Sequence, residues 1–177
     1  MDQLDEKELI IQAKNGKDSA FTKLFQLNHS FLYQYLLKLT FNADLTEDLV
    51  QETMLKAYIN LQQFRGNAKF STWLISIASR LFIDDQRQKI RENRKMQEAG
   101  EEALRKMKWE VSLHGHEWSD YLELFAKLEP EFKMPILLRH YYGYTYSEVA
   151  KILKIKEGTA KSRVHNGLKK IRKEWDE

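Results

Sequence analysis

Cysteine is absent from this 177-residue chain, and glycine and proline are scarce. Without cysteine there can be no disulfide bond and no thiolate metal site. The 7 glycines and 2 prolines are about half the usual share, which favours helices with short connections. No apolar run approaches the ~18 residues of a membrane span, and residues 1–8 lack the basic and apolar parts of a signal peptide. The sequence therefore predicts a cytoplasmic protein with no membrane insertion.

Positive charge is concentrated towards the C-terminus, although the net charge is only +3. Residues 1–90 carry 11 basic and 11 acidic side chains, whereas residues 121–177 carry 12 and 8. Within residues 151–173 there are 9 basic side chains and one acid, Glu157. A basic patch of this kind is expected where a protein contacts phosphates. A solvated helix face is the alternative interpretation.

The spacing of apolar residues predicts an all-α fold with two small helical domains. Four stripes at helical spacing cross residues 1–87 and predict an N-terminal helical bundle. Residues 88–117 are rich in charge and glutamine, so they are predicted to form a charged linker, partly helical around residues 98–108. Residues 118–177 form the second unit, in which we expect a helix-turn-helix.

Local signals fix both helices of this motif. Thr145 and Glu148 form a capping box that starts a short helix at Tyr146. A second helix is predicted to start near Glu157, with a buried stripe at Ala160, Val164, Leu168 and Ile171. Its other faces carry hydrogen-bonding and cationic groups, which can read base edges and neutralise phosphates in a major groove. A basic helix that docks on another protein is the alternative.

The N-terminal bundle contains a polar helix face followed by a basic, aromatic segment. The helix is predicted over residues 46–64, with Thr46 as its cap. Ser71 is predicted to cap the next helix, whose second face carries Ser76, Arg80, Asp84 and Arg87. Cations beside exposed rings suit single-stranded DNA, because cations follow the backbone and rings stack on bases. Alternatively, Phe70 and Trp73 are simply core residues.

Four segments resemble the extracytoplasmic-function sigma factors of the sigma-70 family. YSEVAKILKIKEGTAKSRVHNGLKKIRKEW resembles the −35-reading region, and LEPEFKMPILLRHYYGYT resembles the helices that support it. TEDLVQETMLKAYINLQQF is similar to the polymerase-core-binding helix, and FRGNAKFSTWLISIASR is similar to the −10 element loop and following helix. LRHYYGYTYSEV further resembles the sigma-Y group.

The resemblance implies an alternative sigma factor with domains at residues 1–87 and 118–177 and a linker at 88–117. The clamp helices of the largest subunit of bacterial RNA polymerase core would bind Asp48, Leu49, Gln51, Glu52 and Lys56. The opened −10 element would be bound by Arg65, Asn67, Lys69, Phe70, Trp73, Ser76, Arg80 and Arg87. The −35 duplex would be read by the helix-turn-helix from about Tyr146 to His165, through Thr159, Lys161, Ser162, Arg163, His165, Asn166 and Lys169. The polymerase flap region and an anti-sigma factor are further implied partners.

The chain departs from the family pattern at four positions. Lys154 stands at a turn position that is usually glycine, Arg80 where asparagine is common, and Asn166 where arginine is common. Pro135 lies inside an expected helix, where the missing backbone donor predicts a kink.

Two other functions remain open on the sequence alone: a conventional helix-turn-helix regulator that acts without polymerase, and a sigma mimic that binds an anti-sigma factor. No enzymatic activity, cofactor or metal site is predicted. His114 and His116 have a metal-ligand spacing, but no acid pair completes a site. No glycine-rich phosphate loop is recognisable either.

Overall fold

The computed structural model describes residues 3–92 and 124–175, and these residues contain helices and turns but no strand. The N-terminal helices are α1 (Gln3–Lys14), α2 (Asp18–Thr40), α3 (Ala43–Ile59) and α4 (Phe70–Glu92). The C-terminal helices are α5 (Pro130–Ile136), α6 (Tyr146–Leu153) and α7 (Glu157–Trp175). A 3₁₀ turn, Leu61–Gln63, follows α3, and a π turn, Leu137–Tyr141, follows α5. The prediction of an all-α fold is confirmed. The helix expected around residues 98–108, together with His114 and His116, falls outside the described residues.

The core of the N-terminal domain lies between α2, α3 and α4 and contains one buried polar pair. Tyr35 on α2 and Ser79 on α4 are both fully buried, and their hydroxyl oxygens are 2.6 Å apart. Ser79 donates its own proton to the carbonyl of Ile75 at 2.7 Å, so Tyr35 is the donor to Ser79. Buried hydroxyl groups are costly without a partner, so this bond favours one register of α2 on α4.

Two helix starts differ from the predicted ones. α3 is capped by Asn42, whose side chain accepts a hydrogen bond from the Leu45 amide at 2.9 Å. Thr46 is instead fully buried and donates to the Asn42 carbonyl at 2.7 Å, so its prediction as the cap is wrong. α4 starts at Phe70, two residues earlier than a cap at Ser71 would allow, because the Lys69 carbonyl accepts from the Trp73 amide at 3.1 Å. α4 also continues through Glu92, past the expected domain end at residue 87.

Pro135 is buried inside α5 and the chain departs from α-helical geometry directly after it. The π turn closes with a bond from the Tyr142 amide to the Leu137 carbonyl at 3.1 Å, which spans five residues instead of four. Proline cannot donate the normal backbone bond of an α-helix. Pro135 itself lies within α5, and the π turn begins two residues later.

The helix-turn-helix forms as the local signals predict. Both halves of the capping box between Thr145 and Glu148 are present at the start of α6. Lys154 ends α6 in the left-handed conformation, at φ 52° and ψ 48°. α7 then starts at Glu157 and crosses α5 closely at Gly167, where a Cβ atom would lie 2.6 Å from Ile136 Cδ1.

The two domains pack directly on each other along a surface that we call the domain seam. The ring of Tyr142 lies 5.4 Å from that of Phe31 and 5.7 Å from that of Tyr35. The hydroxyl oxygens of Thr72 and Tyr144 are 3.1 Å apart. Lys133 on α5 reaches the α2 side, with its Nζ 3.5 Å from the Leu39 carbonyl oxygen. The sequence predicted two domains and a linker but not this seam.

Candidate nucleic-acid interface

α7 presents one polar, cationic face to solvent. Its inner side is buried at Ala160, Val164 and Ile171, which pack towards α5 and α6. Five of the predicted DNA-binding residues are exposed together on the outer side, namely Lys161, Ser162, His165, Asn166 and Lys169. Thr159, in the first turn, is only half-buried. This combination of amide, hydroxyl, imidazole and ammonium groups can address both base edges and phosphates.

Arg163 differs from its predicted neighbours because it faces α5. Its guanidinium lies 3.3 Å from the carboxylate of Glu131, and its side chain is 29% exposed. A second ion pair joins Lys170 to Glu129 at 2.7 Å. The hydrogen bond from Lys170 holds the pKa of the Glu129 carboxyl below its usual value. Exposed ion pairs contribute little to stability, but these two orient α7 on α5, so the structure gives Arg163 a supporting position.

Lys161 is held near the start of α7. Its ammonium lies 2.9 Å from the Glu157 carboxylate and 5.8 Å from the centre of the Tyr146 ring. Ser162 donates to the Thr159 carbonyl at 3.0 Å, which leaves its hydroxyl oxygen able to accept. The Lys161 ammonium is therefore held in a defined position in the first two turns of α7, close to the turn that joins α6 to α7.

A second polar surface lies between the C-terminal half of α3 and α4, and we call it the α3–α4 groove. It has a volume of about 260 Å³. It brings together three predicted residues, Trp73, Ser76 and Arg80, and its full lining is Lys56, Asn60, Gln63, Trp73, Ser76, Ile77, Arg80, Leu81 and Asp84. The groove therefore combines an indole ring, two cations, one carboxylate and several uncharged polar groups.

The loop at residues 64–69 is exposed in the middle and anchored by aromatic rings at its ends. Arg65, Asn67 and Lys69 are exposed. Phe64 and Phe70 are buried, with ring centres 5.7 Å apart, and both contact Trp73. Phe70 was predicted as a DNA-binding residue, but at 0% exposure its ring cannot accept a base. It holds the loop from inside, and Trp73 is half-buried at the same cluster.

The last two cations predicted near this site lie on α4. Arg80 is exposed and lines the groove. Arg87 is exposed further along α4, 3.7 Å from Asp84, and it does not line the groove. The structure therefore brings Trp73, Ser76 and Arg80 to one groove, and places Arg87 outside it.

The outer face of α3 is mixed polar and apolar. Asp48, Gln51, Glu52 and Lys56 are exposed, as predicted, and Glu52 lies 3.7 Å from Lys56. Leu49 is 4% exposed and belongs to the core, so it cannot be part of an outer contact surface in this arrangement. Leu55 and Ile59 are exposed at 58% and 67%, and the sequence prediction missed both. Their absence from the buried stripe of α3 was the signal that could have identified them.

The described residues form neither a metal-binding cluster nor a membrane-spanning helix. Within residues 3–92 and 124–175 there is no group of three or more histidine, cysteine or acidic side chains placed to hold a metal ion. In the same ranges no helix has the length and apolarity needed to cross a bilayer.

Two packed helical domains, one with a cationic helix-turn-helix and the other with an aromatic, cationic groove, give the chain two separate candidate nucleic-acid surfaces. Family models match both halves: Sigma-70 region 2 over residues 24–92 and Sigma-70 region 4 over residues 119–171. The chain belongs to the extracytoplasmic-function (ECF) family of RNA polymerase sigma factors, since relatives at least 30% identical are matched over most of their length.

The comparisons with individual proteins agree with this family. The ECF RNA polymerase sigma factor SigW of Bacillus subtilis is 32% identical over 95% of each chain, and SigX of the same organism is 30% identical over 90% of this chain and 85% of its own. Among solved structures, CnrH in complex with the cytosolic domain of CnrY matches with a TM-score of 0.66 at 20% identity, over 97% of each chain. The sigma factor RpoE in complex with the anti-sigma factor NepR, from Bartonella quintana, matches with a TM-score of 0.64 at 22% identity, over 86% of this chain and 94% of its own. At these identities the two structures show the shared fold.

Proposed function

We propose that this ECF sigma factor binds bacterial RNA polymerase core and directs promoter-specific initiation without catalysing a reaction itself. In this proposal α7 reads the −35 element as duplex, and the α3–α4 groove with the loop at residues 64–69 helps to melt and read the −10 element. The observation that carries the proposal is the groove, whose lining includes both Trp73 and Arg80. An aromatic ring and a cation in one groove suit an unstacked base and its phosphate, and a regulator that binds only duplex DNA has no use for them.

For the −35 element, the exposed face of α7 supplies both kinds of contact. Asn166 and Ser162 carry groups that can reach base edges, and Lys161 and Lys169 can neutralise phosphates. His165 lies between them on the same exposed face. Arg163 supports α7 through Glu131 in this proposal and is not a primary DNA contact.

For the −10 element, the exposed cations of the loop lead towards the groove. Arg65 and Lys69 would follow the phosphate backbone of the opened strand, with Asn67 between them. Arg80 would bind a phosphate beside the groove, since guanidinium offers donors only. Arg87 would extend this positive track along α4, while Phe70 keeps the loop attached to the core.

For polymerase, we propose the outer face of α3 as the surface that meets the clamp helices of the largest subunit. Polar groups at Asp48, Gln51, Glu52 and Lys56 surround two exposed apolar side chains, Leu55 and Ile59. Apolar groups ringed by polar ones are typical of protein interfaces. The flap region would be met by the C-terminal domain. An anti-sigma factor is a further proposed partner, because the structurally similar RpoE was solved with one.

Transcription reconstituted with bacterial core polymerase and a genomic promoter library tests the proposal. We expect discrete promoter-specific transcripts with the wild-type chain. Lys69→Ala combined with Arg80→Ala should reduce promoter opening, seen as permanganate reactivity of unpaired thymines, while protection of the −35 duplex is retained. A protein that binds specific duplexes tightly without polymerase would indicate a conventional regulator. Binding to an anti-sigma factor without any transcript would indicate a sigma mimic.

The α3 surface makes a separate prediction about core binding. Leu55→Ala with Ile59→Ala should weaken binding to core polymerase by on the order of tenfold, because exposed apolar groups at an interface centre contribute most to affinity. Glu52→Ala should weaken it less. Leu27→Ala is the matched control, since Leu27 on α2 is also exposed, at 45%. Fluorescence-detected titration with core polymerase measures the effect, and equal affinities for all variants would remove α3 from the interface.

A further inference from the structure

Two amide side chains line the α3–α4 groove where α3 ends, and they are bonded to each other. Asn60 donates one proton from Nδ2 to the Lys56 carbonyl at 2.8 Å, which ties its amide to the last turn of α3. Gln63, on the 3₁₀ turn, donates from Nε2 to Oδ1 of Asn60 at 3.1 Å. We call these two residues the amide pair.

The amide pair leaves the Gln63 amide with one acceptor and one donor unused. Gln63 has spent a single N–H on Asn60, so its Oε1 and its second N–H remain available. Outside the amide pair, no polar side chain of the groove lining carries a donor and an acceptor on one planar amide. Lys56 and Arg80 only donate, and Asp84 only accepts and lies 3.7 Å from Arg87. Ser76 donates its one proton to the Trp73 carbonyl at 2.7 Å.

We propose that Gln63 is the base-reading residue of the α3–α4 groove and that Asn60 is the positioning residue that holds it. This proposal rests on the proposed function, in which the groove takes an unstacked base of the opened −10 strand. A planar amide with a neighbouring donor and acceptor can form two hydrogen bonds with one base edge. Trp73, on the α4 side of the groove, offers the ring on which that base stacks.

The proposal also explains how a groove containing Arg80 can select a base. Guanidinium cannot accept a hydrogen bond, so Arg80 by itself cannot satisfy a base edge that presents a donor. Gln63 supplies an acceptor with a donor beside it on one planar amide, a combination that neither Asp84 nor Ser76 in the same lining offers. The division of labour is therefore phosphate binding by Arg80 and base selection by Gln63.

The experiment selects transcribed promoters from a library randomised across the −10 element, using holoenzyme reconstituted with core polymerase. The variants are Gln63→Ala, Gln63→Glu and Asn60→Ala. Gln62→Ala is the matched control, because the neighbouring Gln62 points to a different partner, the Lys14 carbonyl, at 2.6 Å, and does not line the groove. The −35 element is kept randomised in a second library as an internal reference.

We expect Gln63→Ala to reduce the base preference at one −10 position by roughly tenfold or more, with −35 preferences unchanged. Gln63→Glu should shift that position away from thymine and towards bases that carry an exocyclic amine, namely adenine, cytosine and guanine, because a carboxylate only accepts. Asn60→Ala should weaken the preference at the same position without changing which base is favoured. Wild-type preferences retained by both Gln63 variants, or an equal loss in Gln62→Ala, would overturn the proposal.

Failure of the proposed function gives a different result. If the wild-type chain supports no promoter-specific transcript, both the function and this inference are rejected. If the wild type selects promoters and the Gln63 variants select the same ones, only the inference is rejected. Thermal unfolding of each variant separates a specific effect from loss of fold, and because Asn60 and Gln63 lie on the surface we expect unfolding temperatures close to that of the wild type.

Discussion

Lys133 places an ammonium group in the domain seam with only carbonyl oxygens as hydrogen-bond partners in the described part of the chain. The residue is 6% exposed. Its Nζ donates to the Ala126 carbonyl at 2.9 Å and approaches that of Leu39 at 3.5 Å, with the Phe41 ring centre 5.1 Å away. Burial lowers the pKa of Lys133 from 10.5 to about 8. The folded protein with the domains packed together is therefore less stable with the charged Lys133 than it would be with an apolar side chain of the same length at this position.

This buried charge gives a pH-dependent prediction. Because the pKa of Lys133 is lower in the folded chain, the unfolded chain binds more protons between about pH 8 and 10.5, and the free energy of unfolding rises with pH in that window. The Lys133 contribution should be roughly 2 kcal/mol between pH 7 and 9.5. Lys133→Met should be more stable than wild type at pH 7 by about 1–3 kcal/mol.

Urea denaturation of both proteins across this pH range measures the effect. Lys133→Met serves as the reference, since it keeps every other titrating group, including Tyr35 and Tyr142, whose pKa values burial raises. The difference in stability between the two proteins should shrink as the pH rises. A constant difference would show that Lys133 does not titrate in this way.

At the scale of single residues, the sequence predicts a residue's conformation correctly where that conformation depends on the local backbone. Lys154 was identified as the turn residue that must tolerate a positive φ, and it has φ 52°. Phe70 and Arg163 illustrate the opposite case. Both have residue types that suit DNA, yet one ring packs against Phe64 and the other side chain pairs with Glu131. Glu131 lies on another helix, 32 residues from Arg163, so spacing along the chain could not reveal that pair. For Phe70 the sequence left both a DNA-binding and a core position open, and the packing against Phe64 decides for the core.

At the scale of the elements, a helix start is predicted correctly where its cap is local and wrongly where tertiary packing decides which residue caps the helix. α6 starts where Thr145 and Glu148 predict it, because both halves of its cap lie within four residues. α3 does not start after Thr46, because the tertiary fold buries that hydroxyl and leaves Asn42 to cap the helix. The α3–α4 groove was predicted in part, through Trp73, Ser76 and Arg80. The contribution of Asn60 and Gln63 depends on how the 3₁₀ turn returns towards α4.

The crossing of α5 and α7 makes a prediction about a single methyl group. Gly167→Ala would place Cβ 2.6 Å from Ile136 Cδ1 and 3.0 Å from Phe132 Cβ. Overpacking of this kind should lower the free energy of unfolding by about 1–3 kcal/mol. Gly158→Ala, on the same helix, is the control because its Cβ would meet nothing within 4 Å. Thermal denaturation compares the two, and equal unfolding temperatures would contradict the close crossing.

At the scale of the whole molecule, the sequence indicated how many domains there are but not that they touch. The residues that form the domain seam carry no special signal. Phe31, Thr72 and Tyr142 were not among the residues singled out from the sequence. Their contacts join positions more than 70 residues apart, such as the 3.1 Å approach of Thr72 to Tyr144. Local patterns do not encode pairings of that separation.

The seam is also imperfectly satisfied. The hydroxyl group of Tyr142 is buried and has no hydrogen-bond partner among the described residues. Within the same described ranges, the Lys133 ammonium in this seam bonds only to carbonyl oxygens. An unsatisfied buried polar group costs about 1–3 kcal/mol. The free energy gained from the aromatic contacts of the seam is partly cancelled by these buried polar groups. We therefore expect the two domains to separate at a small cost in free energy.

If the two domains stay packed along the seam, the two promoter elements must lie at a fixed distance and a fixed rotation about the DNA axis. Each base pair inserted between the elements adds about 3.4 Å and rotates one element by about 35° relative to the other. A rigid pair of readers would accept one spacer length, whereas readers that can part would accept several. Phe31→Ala, which removes one ring from Tyr142, should therefore widen the range of spacers transcribed by holoenzyme, with Leu27→Ala on the same helix as control. Identical spacer profiles for the two variants would mean that side-chain packing at the seam does not set promoter architecture.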